Sequence, residues 1–280
     1  MIKSILVCTD GSPHGDVAAE YAVYLTQKLK ARLLALHVLD SRMLDGPLMA
    51  DISGWVGAQP YGAQLQQFRD LMQQKGEAVI RAFNSRCETA GVTAETWIKM
   101  GHPPRVILEE EARAELLVMG QKGEHATWIG EMMGSNVERV VRHSVKPCLV
   151  TPDAFRPISR ILAAYDGRSH ASQALREATE LSLAMQVELV VLTTFENSDR
   201  ERAEQISSDA RELVKAHDCK ALGLVVQGRT AATILDSARE EGCNLIVLGA
   251  YGHTRIRAMI LGSTTTQVIA RSRVPVMLVR

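Results

Sequence analysis

Two glycine-rich signatures carry the clearest chemistry in this sequence, because each pairs glycines with a hydroxyl side chain. Each signature follows an apolar run of strand character and precedes a run with helical periodicity. A glycine-rich turn between a strand and a helix N-terminus presents backbone N–H groups that can hold phosphate. The sequence therefore predicts a duplicated nucleotide-type fold. The signatures are Gly120, Gly123, Gly134 and Ser135 in the first half, and Gly249, Gly252, Gly262 and Ser263 in the second.

The second signature suggests a role for each of its positions. Gly249 and Gly252 are expected to take backbone angles closed to other residues, so that a ribose and phosphates can approach the chain. Gly262 is expected to open the next helix. Ser263 and Thr264 would then present N–H and hydroxyl groups to phosphate at the positive end of the helix dipole.

These signatures belong to a repeat that spans the whole chain. Residues 5–11 recur as residues 161–167, and residues 147–150 recur near 275–279. A repeat of this size indicates two domains rather than a solenoid. We expect the domains to cover residues 1–152 and 158–280, joined by a linker near residues 153–157.

The elements that must position the signatures alternate between strand and helix. In the first half, the periodicity predicts helices over residues 14–30, 64–90 and 104–113, and a fourth that begins at Gly134. Continuous apolar strands that alternate with helices imply a doubly wound parallel sheet, for which we expect the strand order 3-2-1-4-5. Ligands bind such sheets beyond the carboxyl ends of the strands, where the strand order reverses. Asp10 and Asp166 close strand one of their halves, and Gly120 and Gly249 close strand four.

Composition limits the classes of function. Lys plus Arg number 32 and Asp plus Glu number 32, so the formal net charge is zero, which argues against a strongly basic nucleic-acid surface. The first residues are predicted to form a strand and a turn rather than a signal peptide. No run of 18 apolar residues occurs, so no membrane span is expected. Five scattered cysteines favour reduced thiols and a cytoplasmic location.

The motifs together resemble those of a tandem universal stress protein of the UspA superfamily. The resemblance rests on residues 7–12 at the end of strand one, on His37-Val38 at the end of strand two, and on the family signature G-x2-G-x9-G-S/T. The second half matches that signature without gaps, whereas the first half has x10 in place of x9. The family resemblance implies a Rossmann-like α/β fold, association into dimers and, in one subclass, bound ATP or AMP.

The resemblance also implies a set of ligand-binding residues in each half. Asp166 would face the adenine side of the second site, and the backbone of Thr194 would meet the base. Mg²⁺ is a candidate companion of the ATP or related adenine nucleotide. The first-half site would consist of Asp10, Val38, Gly120, Gly123, Gly134, Ser135 and Asn136.

Several alternatives stay open at this level. Asp10 and Asp166 could instead cap the first helix of their halves, since aspartate is a good N-cap. The P-loop signature and the H-E-x-x-H and C-x-x-C motifs are absent from the sequence. The favoured function is a cytoplasmic stress protein that senses or buffers adenine nucleotide. The alternatives are an interaction scaffold with degenerate sites and a slow ATPase, so whether the protein is an enzyme stays open.

Three further expectations concern the two halves. The second half, with its gap-free signature, should bind ATP more tightly, because one added residue in a phosphate loop shifts N–H groups by roughly 3 Å. The fifth strands of the halves should pair antiparallel, which makes an intramolecular pseudo-dimer. The segment 40–66, which includes Trp55, has no full counterpart in the second half. It should order over the first-half site as a lid or dock against another chain in a homodimer.

Overall fold

The computed structural model describes residues 1–44, 61–124, 133–196, 199–250 and 261–280, with only the backbone of residues 61–64. The first half contains strands β1 (Ser4–Cys8), β2 (Arg32–Asp40), β3 (Ala94–Gly101), β4 (Leu116–Gly120) and β5 (Cys148–Thr151). Its helices are α1 (Pro13–Leu29), α2 (Tyr61–Thr89), α3 (Pro103–Glu110) and α4 (Ser135–His143).

The second half repeats this alternation. Its strands are β6 (Arg160–Ala164), β7 (Glu188–Phe195), β8 (Ala221–Gln227), β9 (Leu245–Gly249) and β10 (Val276–Val279). Its helices are α5 (Ser169–Met185), α6 (Arg200–Lys215), α7 (Thr230–Glu240) and α8 (Ser263–Arg271). Short 3₁₀ turns at Ser41–Met43 and Glu111–Arg113 complete the described elements. Because residues 111–113 form a 3₁₀ turn, α3 ends at Glu110 and is shorter than the predicted helix over residues 104–113.

The described strands form one sheet of ten, in the order β3-β2-β1-β4-β5-β10-β9-β6-β7-β8. The predicted order 3-2-1-4-5 is therefore confirmed in each half. The pairs within each half are parallel, whereas β5 and β10 pair antiparallel, with Cys148 opposite Leu278 and Val150 opposite Val276. The predicted antiparallel pairing of the fifth strands is thus confirmed. Each fifth strand satisfies the backbone groups that the other would expose at a sheet edge.

Local sequence explains why the elements start and stop where they do. Ile5, Leu6 and Val7 of β1 are fully buried, as expected for a strand covered on both faces. Helix α1 starts at its N-cap Ser12, whose Oγ accepts a hydrogen bond from Gly15 N over 3.1 Å, and it ends at Lys30 with a left-handed φ of 53°. Turn chemistry at both ends therefore fixes the length of α1.

The connection between the halves packs closely against α1. The ring of Phe155 lies edge-on to those of Tyr21 and Tyr24, with centroid distances of 4.8 and 5.6 Å. The Tyr21 hydroxyl accepts a hydrogen bond from Arg156 N, and the Tyr24 hydroxyl bonds both backbone groups of Ile158. The connection thus contributes to the core that both halves share.

Helix α2 is longer than its counterpart α6, and the difference lies at its N-terminal end. Val79 of α2 packs against Gly11 as Ile206 of α6 packs against Gly167, so the first residue of α6 corresponds to Gln73. Residues 61–72 of α2 therefore have no counterpart in the second half. None of the described helices is long and apolar enough to cross a membrane.

Candidate functional site

A cavity of about 940 Å³ opens at the carboxyl ends of β1, β2 and β4, at the edge where ligands bind doubly wound sheets. Its volume lies near the upper end of the range for small-molecule sites, about 300–1,000 Å³. The structure brings all seven residues of the predicted first-half site together in its lining: Asp10, Val38, Gly120, Gly123, Gly134, Ser135 and Asn136.

Asp10 joins the turn after β1 to the first glycine loop. Its Oδ1 accepts a hydrogen bond from Ser12 N over 3.0 Å, and its Oδ2 accepts one from Glu124 N over 2.9 Å. A β-carbon on Gly123 would lie 2.9 Å from Asp10 Oδ2, so glycine lets the loop approach the carboxylate. The alternative in which Asp10 caps α1 is wrong, because the side chain of Ser12 caps that helix.

Gly120 and Gly249 serve the packing of helices on the sheet. A β-carbon on Gly120 would lie 2.7 Å from the carbonyl oxygen of His14, and one on Gly249 would lie 2.7 Å from the carbonyl carbon of His170. Neither glycine has a positive φ. The expectation that Gly249 needs a backbone angle closed to other residues is therefore wrong. The first turns of α1 and α5 lie so close to β4 and β9 that no side chain fits between them.

Gly134 and Gly262 differ from these glycines, because nothing described in the protein requires them to lack a side chain. Gly134 has φ −60° and ψ 138°, and Gly262 has φ −57° and ψ 146°, both open to any residue. The nearest described atoms to an added β-carbon lie at 3.5 Å and 3.8 Å, which are ordinary contacts. Among the described residues, nothing fills the space next to these two glycines.

The helices that follow these two glycines lack a side-chain N-cap among the described residues. Their N-cap residues are the glycines themselves, whereas Ser12 caps α1; α3, α5, α6 and α7 also have no side-chain cap. The first N–H groups of a helix have no intrahelical partner, and they carry the positive end of its dipole. Ser135, Asn136 and Val137, the first residues of α4, line the cavity. The arrangement can bind an anion there.

The end of β2 offers backbone groups to a planar ligand. The pairing of β1 with β2 ends where Leu36 O accepts a hydrogen bond from Thr9 N, and the chain after β1 then leaves β2. Alternate residues of a strand direct their peptide groups to the same side. The peptide groups of Val38 therefore point to the side that β1 has left, where the cavity lies. In the second half, Tyr165 N bonds Leu192 O, which places the peptide groups of Thr194 in the same way.

His37 supports the base-side wall of the cavity. It is buried, and its Nδ1 lies 2.8 Å from the carbonyl oxygen of Thr9. Burial lowers the pKa of His37, although the hydrogen bond to Thr9 acts in the opposite direction. The ring is therefore neutral at pH 7, with its proton on Nδ1 as the donor to Thr9 and an acceptor at Nε2. A β-carbon on Gly76 of α2 would lie 2.9 Å from the imidazole, so α2 packs directly against it.

Charged side chains that the sequence analysis did not single out also line the cavity. Arg42 forms an ion pair with Asp40, and one of its nitrogens lies 3.4 Å from Asn136 Oδ1. Burial acts to raise the pKa of Asp40, but the hydrogen bonds from Arg42 lower it below its ordinary value. Lys75 of α2 forms an ion pair with Glu124 of the glycine loop. Arg42 and Lys75 could not be recognised from sequence, because neither belongs to a repeated motif.

The extension of α2 forms an apolar wall of the cavity through Phe68, Leu71 and Met72. This extension begins within the segment 40–66 that was predicted to cover the first-half site. Residues 45–60, and with them Trp55, lie outside the described residues. The role of that part as a lid or as a docking segment stays a prediction.

The second-half site is described in part. Gly252 and the neighbouring His253, Arg255 and Arg257 lie outside the described residues. Asp166 accepts a hydrogen bond from Arg168 N over 3.0 Å, as Asp10 does from Ser12. The described residues of the predicted site are Asp166, Thr194, Gly249, Gly262, Ser263 and Thr264. Within the described part of the chain, no group of three or more His, Cys, Asp or Glu side chains could hold a metal ion.

The similarity of this chain to known proteins covers both of its halves. A family model described as the universal stress protein family matches residues 1–152 and 157–280. The chain is 30% identical over 288 residues to universal stress protein Slr1230 of Synechocystis sp., with 100% of both chains covered. It is 24% identical to a universal stress protein of Mycolicibacterium smegmatis, with 99% of this chain and 96% of the relative covered. A universal stress protein of known structure from Archaeoglobus fulgidus has the same fold, with a TM-score of 0.78 at 23% identity over 99% of this chain and 98% of that one.

Proposed function

The chain belongs to the tandem members of the universal stress protein family, and from this premise we propose that its first-half cavity binds an adenine nucleotide. The observation that carries the proposal is the N-terminus of α4, which lines the cavity behind a glycine whose added β-carbon would meet only ordinary contacts among the described residues. We further propose that the protein senses or buffers nucleotide in the stress response, in the cytoplasm and as a homodimer. The five cysteines, all free, support a reducing compartment.

The phosphate end of the ligand would lie against α4. Backbone N–H groups at Ser135 and Asn136, together with the helix dipole, favour negative charge at this point. The absence of a β-carbon on Gly134 lets phosphate oxygens approach the backbone to hydrogen-bond distance. Arg42, which is paired with Asp40 and lies next to Asn136, offers guanidinium donors that a phosphate could meet at the same end of the cavity.

The base would lie at the end of β2. The peptide groups of Val38 offer one donor and one acceptor, which match the edge of adenine, and apolar side chains from α2 and α3 provide contact surface for the ring. Asp10 uses one hydrogen bond at each carboxylate oxygen, so both oxygens retain capacity to accept from ribose hydroxyl groups. Mg²⁺, if it accompanies ATP, would be held mainly by the phosphates.

The second half is proposed to hold a second site of the same kind. Thr194 and Gly262 occupy the places of Val38 and Gly134, and α8 has the same uncapped N-terminus as α4. Its gap-free signature supports the proposal that this site binds ATP more tightly than the first.

Extraction of the purified protein with acid, followed by chromatography of the released nucleotides, tests the proposal directly. Titration with ATP should then give up to two sites per chain, and Gly134→Val should remove the first-half site while Gly262→Val serves as the matched control. A phosphate-release assay on the same samples separates a slow ATPase from a protein that only binds. Protein that carries no nucleotide and binds neither ATP nor AMP would support the scaffold alternative.

A further inference from the structure

Each half of the molecule holds the C-terminal end of the other half's ligand-binding helix. Arg280, which follows β10, donates from its guanidinium to the carbonyl oxygen of Ser144 over 2.9 Å and to that of Arg142 over 3.5 Å. Arg142 lies in the last turn of α4, and Ser144 is the C-cap residue of that helix. The last carbonyls of a helix have no intrahelical partner, so Arg280 satisfies groups that α4 leaves open.

Gln121 makes the reciprocal contact. It follows Gly120 in the first half, and its side-chain amide donates to the carbonyl oxygen of Ile269 in the last turn of α8. Its backbone carbonyl accepts a hydrogen bond from Gly134 N over 3.0 Å. Gln121 therefore contacts the start of α4 through its backbone and the end of α8 through its side chain, and it is buried.

Neither contact repeats across the two halves. The position that corresponds to Arg280 is occupied by Pro152, and the position that corresponds to Gln121 is occupied by Ala250. Proline has no side-chain donor and alanine has no polar group, so neither can make the equivalent bond. The helix α4 thus receives a charged cap, and α8 receives a neutral one.

We propose that Arg280 and Gln121 are positioning residues, through which each half orients the phosphate-binding helix of the other. The inference rests on the proposed nucleotide sites at the N-termini of α4 and α8. A cation at the C-terminus of a helix and an anion at its N-terminus both stabilise the same helix. Arg280 fixes the last turn of α4 and raises the affinity of its first turn for phosphate.

The connection through Gln121 also joins the two sites. Gln121 bonds Gly134 through its backbone and Ile269 through its side chain. A shift of the first-half loop would therefore change the hydrogen bond at the C-terminal end of α8. A ligand in the first site that favours one arrangement of Gln121 therefore changes the affinity of the second site. By thermodynamic linkage, a ligand in the second site changes the affinity of the first site by the same factor.

The test for Arg280 uses the full chain in a Gly262→Val background, which leaves the first-half site to be measured. Arg280→Met should weaken ATP binding roughly two- to fivefold, as expected for a charge at a helix terminus, and should leave adenosine binding unchanged because adenosine has no phosphate. Arg280→Lys should restore part of the loss. Equal losses for ATP and adenosine, or no loss for either, would overturn the proposal.

A second measurement keeps the test independent of nucleotide. Hydrogen exchange of the ligand-free protein should become faster in residues 133–143 on Arg280→Met, with α8 as the internal control. On Gln121→Leu it should become faster in residues 261–271, with α4 as the internal control. Unchanged exchange in both helices would contradict the positioning role. If the parent protein binds neither ATP nor adenosine, the proposed function fails, and the exchange data alone decide whether the caps position the helices.

The test for Gln121 uses a Gly134→Val background, which leaves the second-half site. Gln121→Leu keeps the size of the side chain but leaves the Ile269 carbonyl without its donor, so ATP should bind more weakly there while adenosine binding is kept. In the chain with both sites intact, Gln121→Leu should also reduce any cooperativity of ATP binding between the two sites. Unaltered ATP affinity at the second site would refute the role of Gln121.

Discussion

His37 Nδ1 lies 2.8 Å from the carbonyl oxygen of Thr9, and this bond joins the end of β2 to the turn that carries Asp10. The imidazole is buried beneath α2, so its charged form is disfavoured. Protonation would not break this bond, because an imidazolium also donates from Nδ1, but it would place a charge in a buried site.

Stability should fall as the pH drops below about 6.5, the ordinary pKa of histidine. The pKa of His37 is lowered in the folded state, so the unfolded chain binds more protons in this range and unfolding becomes easier at lower pH. The pKa of His14 is lowered as well, mainly by burial, and adds to the effect. Urea unfolding of the wild type and His37→Gln at pH 7.5 and 5.5 measures the contribution of His37. Identical pH dependence in the two proteins would contradict it.

Gly120→Ala should destabilise the protein by roughly 1–3 kcal/mol, because the added β-carbon meets the backbone of His14 and α1 must move. Gly134→Ala is the matched control, since its β-carbon meets only ordinary contacts. The control should cost about 1 kcal/mol or less, from the weaker N-cap alone. Free energies of unfolding from urea titrations compare the two. Equal costs would show that Gly120 is not needed for packing.

Gly134→Ser should move stability and nucleotide affinity in opposite directions. The backbone at Gly134 is already in the extended conformation of an N-cap, and serine would cap the open N–H groups of α4. The helix would gain a few tenths of a kcal/mol. The same hydroxyl would compete with phosphate, so ATP should bind more weakly. Thermal unfolding measures the change in stability, and calorimetric titration measures the change in ATP affinity. Unchanged ATP affinity would argue against phosphate at α4.

Gly262→Val should remove more ATP affinity than Gly134→Val if the second half holds the tighter site. Both glycines are N-caps with backbone angles open to valine and no close described neighbour, so the two substitutions should weaken their helices to a similar extent, and a difference in ATP binding reports on the ligand. Calorimetry on the two variants measures the remaining site in each. A larger loss for Gly134→Val would reverse the assignment.

Replacement of residues 44–60 by a short Gly-Ser linker should change either nucleotide affinity or oligomeric state. The α2 extension that follows these residues lines the first-half cavity through Phe68, Leu71 and Met72. A changed affinity in an unaltered oligomer would support a lid, and loss of a dimer in analytical ultracentrifugation would support docking. If neither property changes, the segment has neither role.

The sequence by itself determined the duplication, the α/β alternation and the edge of the sheet where the candidate cavity lies. These features depend on local patterns: apolar runs predict buried strands, glycines and prolines mark their ends, and the repeat fixes the correspondence of the halves. The seven first-half residues from Asp10 to Asn136 meet in one cavity because parallel strands bring their carboxyl ends to one edge.

The tertiary structure distinguished residues that look equivalent in sequence. The glycines look alike in sequence, but Gly120 lets α1 pack closely on β4, whereas an added β-carbon on Gly134 would meet only ordinary contacts among the described residues. Only the tertiary packing distinguishes the two positions. The contact between Gln121 and Ile269 joins residues 148 positions apart, in two halves that the antiparallel β5–β10 pair brings together. Local periodicity carries no information about such contacts, because they depend on which surfaces the completed sheet brings together.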